Sequence, residues 1–158
     1  MVDNLPLILT GLGLIASIIY YASVIRNQNK TREAQLFMQF VNPFLSGEKA
    51  EYWHEIREWD WSDYDDFMRI WSDPENRKSF SQMSYWFETL GVYVREGLIP
   101  IRLVAVTMTG MVTSFWNKFG SIIVERRVRE NVPRNLSETE YLYNELMKYV
   151  EEHPELAT

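Results

Sequence analysis

A chain of 158 residues has room for one compact domain behind an anchor, and its 46% apolar and 15% aromatic content sets it apart from disordered sequences. A formal net charge of −6 opposes nucleic-acid binding, which needs a coherent basic face. The absence of cysteine removes disulfides, thiolate-bound zinc and a thiol nucleophile, and agrees with a reducing cytoplasm.

The first element is the uncharged, largely apolar run from Leu5 to Ile25. As a helix it extends about 31 Å, matching a hydrocarbon core of roughly 30 Å, so a single membrane span is expected. A secretory signal carries a basic n-region and a shorter apolar core, whereas the only side-chain charge ahead of this run is Asp3. A buried helix of a soluble protein carries a polar stripe, and here only Thr10, Ser17, Ser23 and the tyrosine hydroxyls are polar. Pro6 suits a first helical turn.

Arg26, Lys30 and Arg32 follow the run and no Lys or Arg precedes it, so the positive-inside rule puts the N-terminus outside and the C-terminal part in the cytoplasm. Tyr20, Tyr21 and Arg26 at the inner end are expected to anchor the interface together with Lys30 and Arg32. Thr10, Gly13 and Ser17 form a small-residue face suited to close approach of another helix. This divides the chain into an anchor with a basic segment, residues 1–30, and a helical cytoplasmic domain, residues 31–158.

Beyond the anchor, apolar residues at helical spacing extend the helix through residues 27–41, and Asn42-Pro43 predicts a break or kink before a turn at Ser46-Gly47. Tyr52, Trp53, Ile56 and Trp59 keep helical spacing. Ser62 with Asp65 predicts a capped start to a short helix through Trp71. Asp73-Pro74-Glu75 opens the best-specified helix, whose apolar stripe of Phe80, Met83, Phe87, Leu90, Gly91 and Val94 leads to a stop at Gly97. Pro100 begins a segment that Gly110 is expected to interrupt. From Met111 to Val124 the apolar residues are dense enough to be buried, Glu125 to Arg129 are expected to return to water, and Pro133 ends the helix. The sequence from Ser137 to Glu140 reads as a capping box for a last helix reaching about Glu152. No hairpin signal, alternating strand pattern or internal repeat is present, so the fold class is all-α, a transmembrane helix followed by a compact multi-helix domain.

Several stretches together carry a resemblance: the basic Asn29–Arg32, Ala34–Phe37, Tyr52-Trp53, Trp59–Phe67, Glu88–Ile99, Phe115–Ile123 and Glu138–Tyr149. With the preceding span, the chain resembles a prokaryotic domain-of-unknown-function family of small single-span membrane proteins. The resemblance covers nearly the whole chain and implies a helical cytoplasmic domain behind a membrane anchor. It brings no activity, cofactor or catalytic residue with it.

Candidate chemistry is confined to the acidic segment 48–75. Glu51-x-x-His54, with Glu55 and Glu58 nearby, is half of a di-iron bundle motif, but the only other histidine, His153, has Val150 at the matching position. Asp60, Asp63, Asp65 and Asp66 lack the glycine and distal glutamate of a calcium loop, and helix-start carboxylates account for them better. Neither a phosphate loop nor a Gly-x-Ser-x-Gly nucleophile is present. No catalytic, cofactor-binding or metal-binding residue is therefore assigned and no cofactor is expected. Arg126, Arg127, Arg129 and Arg134 read equally well as a lipid-facing patch and as complements of a helix C-terminus. The expected role is a non-catalytic interaction or accessory subunit, with the bilayer and either a second copy or other membrane subunits as partners. An enzyme or metal-binding protein using segment 48–75 and an anionic-lipid-binding domain are the alternatives.

Overall fold

The computed structural model describes residues 4–156, and among these the regular elements are all helical. Element α1 (Leu5–Leu45) is followed by α2 (Ala50–Arg57), α3 (Tyr64–Ser72), α4 (Pro74–Arg95), α5 (Ile101–Arg129) and α6 (Ser137–Glu152), with a closing 3-10 turn (Pro154–Leu156). The chain divides into two compact units between Gln35 and Leu36.

In the first unit, α1 makes its own backbone ladder and little else; nearly every side chain up to Gln35 is exposed. In the second, α4 packs on α2, α3 and α6, and α5 packs on α3 and α6. Phenylalanines join α4 to α5: Phe87 and Phe115 lie 4.4 Å apart and Phe80 and Phe119 5.2 Å apart, with Phe67 from α3 5.5 Å from Phe80. All five rings are at most 5% exposed. Burial of each ring contributes about 1.5–3 kcal/mol and well-angled pairs roughly 0.5–1.5 kcal/mol more, which makes this aromatic cluster the principal stabilising unit of the domain. The end of α1 joins it through Phe40, stacked 4.8 Å from Trp86, whose indole N–H donates to the Phe40 carbonyl at 3.3 Å.

Local signals explain most helix ends. Asp73 caps α4 by accepting from the Glu75 and Asn76 amides at 2.9 and 3.2 Å, with Pro74 as first helical residue. Gly97, at φ +66, closes the other end as Leu98 N–H returns to the Tyr93 carbonyl at 2.9 Å.

Five expectations are corrected. Proline does not break α1 at Asn42-Pro43; the helix runs on to Leu45, held by Phe44 stacked 5.6 Å from Trp86. The cap of α3 is Asp63, which accepts from Asp66 N–H at 2.9 Å, so the start lies one residue later than Ser62 suggests. Gly110 does not interrupt α5, because Val104, Met108, Val112 and Phe115 bury one continuous stripe whose packing outweighs the roughly 1 kcal/mol helical penalty of glycine. That helix ends at Arg129, ahead of Pro133, because Asn131 takes the left-handed conformation at φ +52 and Val132 N–H returns to the Arg127 carbonyl at 3.0 Å. Finally, Ser137 makes no side-chain cap at the start of α6; the cap comes from another helix.

Candidate functional site

The most exposed apolar surface belongs to the first unit. Ten leucine and isoleucine side chains between Leu5 and Ile25 are each more than half exposed. Moving them out of water is worth on the order of 15–30 kcal/mol. The net stability of a whole domain is only about 5–15 kcal/mol, so the apolar surface of this helix is large on the scale of folding. It is the one helix among the described residues long and apolar enough to cross a membrane, with a mean hydropathy of 2.0 over its best window and none of that window buried.

Residues singled out in this segment lie on its open surface. The Thr10 and Ser17 hydroxyls donate to the carbonyls of Pro6 and Gly13, both at 2.8 Å, so neither polar group is left unsatisfied. A Cβ placed on Gly13 would meet nothing within 4 Å. The Tyr20 and Tyr21 rings meet edge to face at 5.7 Å. Arg26, Lys30 and Arg32 are exposed and make no ion pair among the described residues.

In the acidic segment several carboxylates serve separate structural tasks. Glu51 and His54 are exposed on α2, and Glu55 turns away to accept from the buried Ser79 hydroxyl at 2.5 Å. Asp63 and Asp73 cap helices, Asp65 meets Arg129 at 3.1 Å, and Asp66 pairs with Arg69. The Arg69 guanidinium, helped by the Ser62 amide, holds the Asp66 carboxyl below the ordinary range. His153 lies apart, stacked on Tyr149 at 4.0 Å. Among the described residues no three His, Asp or Glu side chains converge as metal ligands.

The arginines of α5 are engaged as well. Arg126 Nε reaches Glu130 at 2.8 Å, and Arg129 pairs with Glu125 and Asp65. Arg126 lowers the Glu130 carboxyl below its usual value, while burial first and the Glu130 hydrogen bond second push the Tyr64 phenol up. Arg127 departs from the expected return to water: it donates to the carbonyls of Asn135 and Leu136 at 2.7 and 3.0 Å and to Glu140 at 2.5 Å, tying the end of α5 to the start of α6.

Sequence reasoning missed this junction, which is the most organised polar cluster of the domain. Glu88 accepts from both the amide and the hydroxyl of Thr139, at 2.8 and 2.9 Å, supplying the cap that α6 lacks locally. One turn on, Gly91 lets the Glu138 backbone come so close that a Cβ would lie 2.1 Å from its carbonyl oxygen. Arg95 pairs with the Glu138 carboxylate, which holds the guanidinium charged, and its plane lies 3.8 Å over the Tyr141 ring. Glu88, Gly91 and Arg95 share one face of α4, and their spacing was visible, but nothing in the sequence names Glu138 and Thr139 as the partners. An open groove elsewhere, between α5 and α6, is lined by Trp116, Val124, Val128 and Tyr143.

These features define an all-α protein in which an exposed apolar helix leads into an aromatic-cored helical domain that uses charged side chains as caps and interhelical clamps. The chain belongs to the family described as Domain of unknown function (DUF4760), whose sequence model matches residues 7–146. Neither the curated proteins nor the solved structures provide a match.

Proposed function

We propose that this chain is a single-pass membrane protein whose cytoplasmic helical domain acts as a non-catalytic interaction or accessory subunit of a membrane assembly. The observation that carries the reading is the bare apolar surface of Leu5–Ile25, whose drive to leave water exceeds the stability of a typical domain. The cations Arg26, Lys30 and Arg32 beyond its end support an orientation with the N-terminus outside. Use of the acidic side chains as caps and ion-pair partners favours an interaction role over chemistry in segment 48–75. The pairing of Arg126, Arg127 and Arg129 likewise weakens the anionic-lipid alternative.

Fractionation of cells producing the full chain tests this. The protein is expected in the membrane pellet, resistant to alkaline wash and released by mild detergent with a mass above that of one chain in its micelle. Recovery in the detergent-free supernatant would remove the span, and a strictly monomeric detergent species without companion would remove the subunit role.

A further inference from the structure

The second unit holds a groove that no cap or clamp accounts for. It runs between the last turns of α1 and the middle of α4, measures about 380 Å³, and has Phe40, Pro43, Trp86 and Tyr93 along its apolar wall. That wall is built in advance: Phe40 stacks on Trp86 at 4.8 Å and meets Tyr93 edge to face at 6.0 Å, while the Trp86 indole N–H is already bonded to the Phe40 carbonyl. Its size falls in the range of small-molecule sites. Lys49 is the one charged residue that lines it.

Lys49 is misplaced for its own helix. It stands at the N-cap of α2, where a hydroxyl or carboxylate would satisfy free amides and where the helix dipole opposes a cation, and its side chain makes no cap. The half-buried side chain turns to Gln82 instead, and the ammonium donates to Gln82 Oε1 at 2.5 Å. Among the described residues it pairs with no carboxylate; its acidic neighbours Glu48 and Glu51 are exposed and unpaired too. A second cation, Lys78, lies 5.8 Å from the Tyr52 ring that Lys49 approaches at 5.9 Å. With Gln82 Oε1 occupied, the amide nitrogen is left to donate, so this end of the groove offers donors without a matching anion. A lysine kept against the local preference of its helix, and aimed into an otherwise uncharged groove, marks a site.

We propose that the groove binds a small organic carboxylate, its oxygens received by the Lys49 ammonium and the Gln82 amide and its apolar chain laid on Phe40, Pro43, Trp86 and Tyr93. This goes beyond the subunit role and does not depend on the membrane span, since every residue invoked belongs to the second unit. The carboxylate supplies the counter-charge that Lys49 lacks through a charge-assisted hydrogen bond, the strong kind, and the chain leaves water on the aromatic wall.

Equilibrium dialysis of radiolabelled octanoate against the full-length protein in nanodiscs of zwitterionic lipid, with empty discs as the blank, tests the site. Saturable binding of about one octanoate per chain is expected. Lys49→Gln is expected to weaken it about tenfold or more, and Lys49→Arg to restore it to within a few-fold. Octanamide, with the same chain and no charge, is expected to compete about tenfold less well or worse. Thr89→Trp, at an exposed position on the α4 side of the groove, is expected to reduce binding by filling it. Melting temperatures of the variants separate loss of the site from loss of the fold, and Lys49→Arg, Thr89→Trp and the octanamide comparison decide the matter if Lys49→Gln unfolds. No saturable binding below about 1 mM, octanamide equal to octanoate, or indifference to Lys49→Gln in a folded variant would overturn the carboxylate site. Displacement of octanoate when phosphatidylglycerol replaces the zwitterionic lipid would give the groove to lipid headgroups and overturn the free acid as its occupant.

Discussion

Gly91 sits where the α4 and α6 backbones come closest, and the consequence of adding a methyl group there is calculable. A Cβ at 2.1 Å from the Glu138 carbonyl oxygen meets backbone, which cannot rotate away, so Gly91→Ala must part the helices. A loss of about 3 kcal/mol is expected, seen as a melting temperature lower by roughly 10 °C. The neighbouring Glu88→Ala change strands the amide and hydroxyl of Thr139, which is 1% exposed, at a cost of about 1–3 kcal/mol. Glu88→Gln keeps an acceptor and is expected to lose less; denaturant titration of the three variants checks the ranking. Protonation acts on the same scale. The Glu130 carboxyl is depressed chiefly by Arg126, so its contribution is complete above the unfolded glutamate value of about 4.3 and disappears as pH falls through the lower folded value. Tyr64 is raised, so its contribution is complete below about pH 10 and is lost as pH rises through the higher folded value. Denaturation midpoints measured against pH should decline at both extremes, and Glu130→Gln should flatten the acid limb.

Individual helices show which signals are local enough to read from sequence. Asp73-Pro74 and Gly97 bound α4 as their chemistry dictates, and the stripe from Phe80 to Gly91 is buried as its spacing requires. Elements were misjudged where packing from far along the chain outweighed a local preference. Pro43 lies within α1 because Phe44 has Trp86 to stack on, and Gly110 lies within α5 because the opposite face is core. The cap of α6 shows the same limit more sharply: Ser137 supplied the local signal, but the carboxylate that does the capping comes from Glu88, 51 positions away from Thr139. Gly110 yields a prediction of opposite sign to Gly91. It is exposed, its helix continues through it, and a Cβ there would meet nothing within 4 Å. Gly110→Ala is expected to stabilise the domain by about 0.5–1 kcal/mol, since it removes unfolded-state freedom without a clash. A shift of the urea midpoint to higher concentration with unchanged slope is the confirming result.

At the scale of the molecule the two compact units differ in what they lack. The second unit buries its aromatic residues against one another: Phe67, Phe87, Phe115 and Phe119 are at most 1% exposed, and Trp53 and Trp59 at most 9%. The first leaves its apolar residues bare and makes its hydrogen bonds within its own helix, the arrangement that hydrocarbon tolerates and water does not. Separating them should therefore separate their solvent requirements. A fragment of residues 31–158, which keeps nearly two turns of helix ahead of Phe37, is expected to stay in solution without detergent and to unfold in one cooperative transition. The full chain is expected to require detergent for extraction. A fragment that aggregates, or unfolds without cooperativity while retaining helical circular dichroism, would show that the domain core depends on residues before Thr31. A soluble fragment beside a membrane-bound full chain would locate the requirement for an apolar environment in the N-terminal helix alone.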